Sequence, residues 1–271
     1  MVFSLINSYH LFQTKEHTRR RCRACRLEAA IMMAKRGHKV YIWEKEDHIG
    51  GALKLATLPP GKEKLQWLLD YYSNMTKKLG IQISLNKEAT EENIDNFIPD
   101  TVILAYGSRA FIPPIKGINN KNSITFEKIL NGTIKITNKK VIVGGGGLVG
   151  CETALYLASK GNDVTILEML SEIAGGMEKI SKNYLLKELS EGNVKYFVNS
   201  PIKEITENFV IFGEGNSIEM DYFVVSFGGV SDHNLYEKTK TKYETYLIGD
   251  ALKPNKIIDA VHTGFAIGKI V

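Results

Sequence analysis

The chain has 271 residues, a formal net charge of +5, and is 44% hydrophobic and 24% charged. This length suffices for two domains with separate cores, and the composition is typical of a soluble globular protein. The sequence contains no apolar run near the ~20 residues of a membrane span, and its apolar N-terminal stretch is too short for a signal peptide. We therefore expect a cytoplasmic protein without a membrane partner.

Residues 1–26 form an atypical N-terminal segment. Its apolar part, residues 2–12, is compatible with either a helix or a strand. The arginine-rich part, residues 19–26, could contact nucleic acid, but a single basic cluster without a nucleic-acid-binding motif ranks this function last, and we predict no nucleic-acid partner. Cys22 and Cys25 have a spacing found in metal and redox sites, yet no second Cys or His pair accompanies them, so we predict no metal site.

The stretch from Leu27 to Glu44 predicts a helix followed by a buried strand, and the same pattern returns from Cys151 to Glu168. In this alignment Glu44 corresponds to Glu168. A second repeated pattern, residues 100–107 and 221–228, predicts two strands that each end in a glycine, Gly107 and Gly228. Open parallel sheets bind ligands at the carboxyl ends of their strands, so both glycines are candidate ligand contacts.

The second unit carries a complete dinucleotide-binding fingerprint. A predicted strand at residues 140–143 leads directly into the pattern G-x-G-x-x-G. A predicted helix over residues 149–160 and a strand at residues 164–167 follow it. The first glycine permits a tight turn, the second lets backbone N–H groups approach a pyrophosphate, and the third lets the helix pack closely. The predicted NAD contacts are Gly145, Gly146, Gly147, Leu148, Val149, Gly150, Glu168 and Gly228.

Glu168 ends the second strand of this unit, where a carboxylate can accept hydrogen bonds from both hydroxyls of an adenosine ribose. The same carboxylate would repel a 2'-phosphate. The sequence therefore predicts NADH as the cofactor, in preference to NADPH.

The first unit lacks this fingerprint. Arg21, Arg23 and Arg26 occupy the three glycine positions, and residues 17–20 align with the strand at residues 141–144. From this alignment we expect the apolar strand to be lost and an arginine at the packing position to hold the helix off the sheet.

The order of these patterns predicts an α/β fold with two Rossmann-like dinucleotide-binding domains, one inserted in the other. The outer domain is expected to comprise residues 27–112 and 236–271, and the inserted NAD(H)-binding domain residues 113–235. The proline-containing stretch at residues 111–115 is the expected crossing point.

From Leu27 to its end the sequence resembles the C-terminal FAD/NAD(P)-binding half of the NADH:flavin oxidoreductases related to old yellow enzyme, such as 2-enoate reductase and 2,4-dienoyl-CoA reductase. The matching segments are residues 27–30, 37–40, 44–51, 59–62, 144–153 and 247–251. The resemblance implies that the outer domain is of the FAD-binding type and that NADH passes a hydride to FAD. The FAD contacts that the resemblance implies are Glu44, Gly50, Gly51 and Asp250. Gly107, which ends the first repeated strand, is added to them as a candidate FAD contact.

In such enzymes the cofactors supply the reactivity, so we predict no catalytic side chain. Larger members also carry an FMN-holding barrel and cysteines for an iron–sulfur cluster, which residues 1–26 cannot accommodate. We expect the chain to be a truncated reductase portion that works with a separate FMN and iron–sulfur domain or subunit. Because the first glycine loop is replaced, FAD binding is expected to be weak or absent, which leaves an NAD- or ADP-binding module or an inactive remnant as alternatives.

Overall fold

A computed structural model describes the backbone of residues 9–13 and all of residues 24–271. The chain divides into two compact units. Unit 1 comprises the described residues up to Thr57 together with Lys64–Arg109 and Gly229–Val271, and unit 2 comprises Leu58–Glu63 and Ala110–Gly228. The domain boundaries predicted from the sequence, after residues 112 and 235, lie three and seven residues beyond those of the structure, which follow Arg109 and Gly228. The segment Leu58–Glu63 was not expected in unit 2.

Unit 1 is built on a five-stranded parallel sheet with the strand order β15-β4-β1-β2-β3. Its described elements are β1 (Tyr9–Gln13), α1 (Ala24–Lys35), β2 (Lys39–Trp43), α2 (Ala52–Ala56), α3 (Leu65–Lys78), β3 (Gln82–Ser84), α4 (Glu91–Phe97), β4 (Thr101–Leu104), β5 (Ser108–Ala110), β14 (Gly229–Ser231), α8 (Asn234–Thr239), β15 (Glu244–Leu247), a 3₁₀ helix (Gly249–Ala251) and α9 (Ile257–Ile270). Strands β5 and β14 pair in a separate two-stranded ribbon.

Unit 2 repeats this arrangement with the parallel order β6-β13-β7-β8-β9 and adds an antiparallel sheet, β10-β11-β12. Its elements are β6 (Ser123–Thr125), α5 (Phe126–Leu130), β7 (Lys140–Gly144), α6 (Leu148–Ala158), β8 (Asp163–Leu167), α7 (Lys179–Glu191), β9 (Lys195–Phe197), β10 (Ile202–Ile205), β11 (Phe209–Phe212), β12 (Asn216–Glu219) and β13 (Tyr222–Val225). The predicted α/β class with two Rossmann-like units is confirmed.

The central strand of unit 1 was placed wrongly by the sequence alignment. The strand is β1, within the apolar N-terminal stretch, and His10 of β1 lies in register with Val40 on one side and Thr101 on the other. Residues 17–20, which we aligned with this strand, lie outside the described residues. The apolar strand is therefore present, and β1 lies farther from Arg26 in the sequence than β7 lies from Gly150.

Helix α1 packs fully into the core of unit 1, contrary to the expectation that Arg26 would hold it off the sheet. Ala24, Leu27 and Ile31 are completely buried. The opposite side of the helix meets α9, where a Cβ atom on Gly264 would lie 2.1 Å from the carbonyl oxygen of Cys25. The two helices can approach this closely only because Gly264 has no side chain.

Among the described helices, none combines the length and the apolar character that crossing a bilayer requires.

Candidate dinucleotide sites

The glycine loop of unit 2 needs glycine at its first and third positions for steric reasons. Gly145 has a φ of 102°, and a Cβ atom there would lie 2.4 Å from the carbonyl oxygen of Ser226. A Cβ atom on Gly150 would lie 1.9 Å from the carbonyl oxygen of Gly145. The loop can turn tightly and bring α6 against the sheet only because both side chains are missing.

The second glycine of the pattern faces open space. Gly147 is the N-cap residue of α6, and no atom lies within 4 Å of a Cβ built on it. The N–H groups of the first turn of a helix have no partners within the helix, and the helix dipole places partial positive charge beside them. The backbone at Gly147, Leu148 and Val149 is therefore suited to bind a pyrophosphate.

Gly146 is engaged inside the protein. Its N–H donates to Oε2 of Glu168 at 2.6 Å, and its carbonyl oxygen accepts from the N–H of Ala174 at 2.7 Å. A Cβ atom there would lie 2.6 Å from the side chain of Ile173. Gly146 thus links the loop to the end of the second strand, and its predicted contact with NAD would not use its N–H.

Glu168 follows β8 and is 8% exposed. Besides the hydrogen bond from Gly146, its Oε1 accepts from the N–H of Leu170 at 2.8 Å. A carboxylate offers about four acceptor positions, so two remain for the vicinal hydroxyls of a ribose. The next residues, Met169 and Leu170, are apolar and more than half exposed, so they bring no positive charge to the place where a 2'-phosphate would lie.

Two further residues of unit 2 bear on this site. Gly228, which follows β13, has a φ of 93° and open space at its Cβ position. Cys151 is buried in α6 beside the loop, and its thiol donates to the carbonyl oxygen of Gly146 at 3.3 Å. Burial disfavours the thiolate and raises the pKa of Cys151 to about 12. The thiol is therefore neutral near pH 7 and stabilises the loop.

A contact of unit 2 that the sequence did not reveal involves Glu152, a partly exposed residue of α6. Lys62 forms an ion pair with Glu152 at 2.9 Å. Both residues line a cavity of about 400 Å³ together with Leu148, Leu155 and residues of α7. The separation of Lys62 and Glu152 in the sequence gives no signal of this contact, although each belongs to a segment that carried the family resemblance.

Unit 1 places Glu44 where unit 2 places Glu168, directly after the second strand. Its Oε1 accepts from the N–H of Glu46 at 3.0 Å, as Oε1 of Glu168 accepts from Leu170. The other oxygen differs in its partner. Oε2 of Glu44 accepts from Nη2 of Arg26 at 2.5 Å, and both side chains are 0% exposed.

The remaining FAD residues predicted for unit 1 lie at turns near the carboxyl ends of its strands. Gly50 and Gly51 precede α2 with φ values of 97° and 48°, and Gly107 follows β4 with a φ of 79°. Asp250 lies in the 3₁₀ helix after β15, is 1% exposed, and accepts from the N–H of Asn255 at 3.1 Å. These positions agree with a ligand-binding edge of the sheet. Glu44, however, forms a buried ion pair with Arg26, so the residues present do not fit the adenosine ribose of FAD.

Arg21, Arg23 and Cys22 lie outside the described residues. Among the residues that the structure does describe, no group of three or more His, Cys, Asp or Glu side chains could hold a metal ion. His262 is an exposed residue on α9.

The pyridine nucleotide-disulphide oxidoreductase model matches residues 25–252. The chain belongs to this family. The "NADH oxidase" of Thermoanaerobacter brockii is 38% identical over 250 residues, which cover 89% of this chain and 38% of that protein. The "cinnamate reductase" of Clostridium sporogenes is 36% identical over 250 residues, which cover 90% of this chain and 37% of that protein.

A solved structure of a 2-naphthoyl-CoA reductase in complex with 2-naphthoyl-CoA superposes with a TM-score of 0.88 at 30% identity, covering 97% of this chain and 40% of that one. The chain thus spans well under half the length of these relatives. Because the relatives are oxidoreductases, the prediction of an NAD(P)H- and flavin-dependent oxidoreductase is confirmed at the level of the family. Binding of FAD and NAD(P)H is typical of this family, and at the FAD position the residues of unit 1 depart from it.

Proposed function

We propose that unit 2 binds NAD(H) and that the chain is the pyridine nucleotide-binding portion of a larger reductase of the 2-enoate or 2,4-dienoyl-CoA reductase type. The carrying observation is the pair formed by the glycine loop and Glu168, in which the loop leaves open space at Gly147 and the carboxylate keeps acceptor positions beside it. The names of two relatives, NADH oxidase and cinnamate reductase, support the reaction class.

In this proposal the backbone of residues 147–149 holds the pyrophosphate, Glu168 holds the adenosine ribose, and Gly228 lies beside the dinucleotide. When bound, NADH supplies a hydride, and the protein supplies position and electric field. A negatively charged carboxylate at the ribose favours NADH over NADPH, because it would repel the 2'-phosphate of NADPH. The next residues, Met169 and Leu170, are apolar and provide no positive charge to offset this repulsion. The electron acceptor would belong to a separate FMN and iron–sulfur domain or subunit.

A titration of the full chain with NADH and NADPH, followed by nicotinamide fluorescence, tests the cofactor site. We expect NADH to bind at least tenfold more tightly than NADPH. Glu168→Gln should weaken NADH binding by roughly tenfold or more, because hydrogen bonds to charged groups contribute about 1.5–3 kcal/mol. Glu172→Gln is the matched control. Glu172 is an exposed carboxylate on the same loop as Glu168, and it forms an ion pair with Lys182.

Equal affinity for the two nucleotides would refute the proposed preference, and unchanged NADH binding by Glu168→Gln would refute the assigned site. A second candidate function, an NAD- or ADP-binding module without turnover, is favoured by the Arg26–Glu44 ion pair in unit 1. Reduction of an added acceptor by NADH, in the presence of FAD, distinguishes the enzyme from this module.

A further inference from the structure

We propose that the buried ion pair between Arg26 and Glu44 closes the adenosine-ribose position of unit 1, so that this chain does not hold FAD as a tightly bound resident cofactor. This inference concerns unit 1 and does not depend on the NADH site of unit 2. It rests on the described side chains of α1 and on the residues that end and follow β2.

Glu44 and Glu168 occupy equivalent places in the two units. Glu44 and Glu168 each follow the second strand of a parallel sheet, and each accepts a backbone hydrogen bond on Oε1 from the residue two positions later. In unit 2 the second oxygen receives the N–H of Gly146. In unit 1 the guanidinium of Arg26 takes that place.

The two carboxylates differ in how accessible they are to a ligand. Glu168 is 8% exposed, whereas the side chains of Glu44 and Arg26 are both 0% exposed. The guanidinium is held on its other side as well, because Nη1 donates to the carbonyl oxygen of Trp43 at 3.4 Å. A ribose hydroxyl could reach Glu44 only by displacing Arg26, which would leave a positive charge buried without its partner.

The arginine is also incompatible with the tight glycine loop seen in unit 2. Arg26 aligns with Gly150 of unit 2 in the sequence repeat. A side chain at Gly150 would collide with the carbonyl oxygen of Gly145, so the three-residue loop of unit 2 cannot coexist with an arginine there.

The test begins with the unaltered full chain. The purified protein is incubated with excess FAD, passed through a desalting column, and its flavin absorbance is measured per chain, while NADH binding in the same sample reports on unit 2. We expect a colourless protein. Retention of one FAD per chain by the unaltered protein would overturn the proposal, independently of any measurement on variants.

Variants then assign the effect to the ion pair. Titration with FAD, followed by flavin fluorescence, should show that Arg26→Gly raises the affinity by roughly tenfold or more, because it frees Glu44 to accept from the ribose. Arg26→Lys keeps the charge and should leave the weak affinity unchanged. An Arg26→Gly protein that folds, as shown by circular dichroism, and binds FAD no more tightly than the unaltered chain contradicts the role of Arg26. If Arg26→Gly does not fold, the retention measurement decides alone.

Discussion

The two units of this chain share one parallel-sheet topology, and they differ at the point where a dinucleotide would bind. In unit 2 the loop residue Gly146 donates its N–H to Glu168, and the carboxylate keeps acceptor positions for a ligand. In unit 1 a guanidinium supplies that hydrogen bond to Glu44. The comparison shows that the same sheet and helix persist when the cofactor contact is replaced by an internal ion pair.

The largest expected effect comes from breaking that ion pair. Glu44→Ala leaves the buried charge of Arg26 without its partner and should lower the free energy of unfolding of unit 1 by about 3–5 kcal/mol. Both tryptophans, Trp43 and Trp67, lie in unit 1, so tryptophan fluorescence during urea unfolding reports on this unit.

The double variant Arg26→Leu with Glu44→Leu removes both charges and serves as the control. Replacing a buried ion pair by apolar residues is often neutral or stabilising, so this variant should recover most of the lost stability. A Glu44→Ala protein as stable as the unaltered chain would show that the pair does not contribute to the fold of unit 1.

The glycine loop of unit 2 offers the next effect. Gly150→Ala introduces a Cβ atom 1.9 Å from the carbonyl oxygen of Gly145, which forces α6 to shift and should cost unit 2 about 1–3 kcal/mol together with most of its NADH affinity. Hydrogen exchange of peptides from β7 and β8 measures the stability.

Gly147→Ala is the matched control for this prediction. Its Cβ atom meets no other atom within 4 Å, so the stability of unit 2 should fall by at most about 1 kcal/mol, the effect of a poorer helix cap. NADH binding should still weaken, because the added methyl group enters the open space where the pyrophosphate is proposed to lie. Equal destabilisation by the two variants would contradict the assignment of Gly150 to packing and Gly147 to the ligand.

The smallest expected effect concerns pH. Burial raises the pKa of Cys151 from 9.0 to about 12, so the unfolded chain releases the thiol proton first as the pH increases. The corresponding stability is fully present below pH 9 and decreases toward pH 12, at up to about 1.4 kcal/mol per pH unit. In unit 1 the equivalent position is Leu27, which does not titrate.

Hydrogen exchange of the β7 and β8 peptides between pH 8 and pH 10, corrected for the intrinsic exchange rate, should show this decrease for the unaltered chain. Cys151→Ala should show a shallower dependence, since other groups still titrate. The same slope in both proteins would mean that the thiol does not ionise differently in the folded and unfolded states.

Much of the fold could be predicted because the repeat carries it. Helix α6, strands β7 and β8 and the glycine loop were predicted to within one or two residues, since a buried parallel strand, G-x-G-x-x-G and a helix ending in glycine leave a local pattern. The central strand of unit 1 was misplaced because we assumed the spacing of unit 2, whereas β1 lies farther from Arg26 in the sequence than β7 lies from Gly150. The apolar character of residues 9–13 alone did not distinguish a strand from a helix.

The sequence analysis did not predict the partner of Glu44. Arg26 was recognised as a departure from glycine, and its size suggested that it would push α1 from the sheet. The structure instead buries the side chain and directs it to Glu44, while α1 keeps its packing against α9 through Gly264. A basic residue at a helix start and an acid at the end of the next strand is a signal that could have suggested this pair.

By itself, the sequence determined the two-unit α/β architecture and the position of an intact dinucleotide fingerprint in unit 2, because glycine spacing and apolar periodicity are local properties of the chain. Only the tertiary structure decided that Arg26 reaches Glu44, that residues 9–13 complete the sheet of unit 1, and that Lys62 meets Glu152. These contacts join distant parts of the chain, and whether a buried charge finds its partner depends on the direction of side chains in the folded protein.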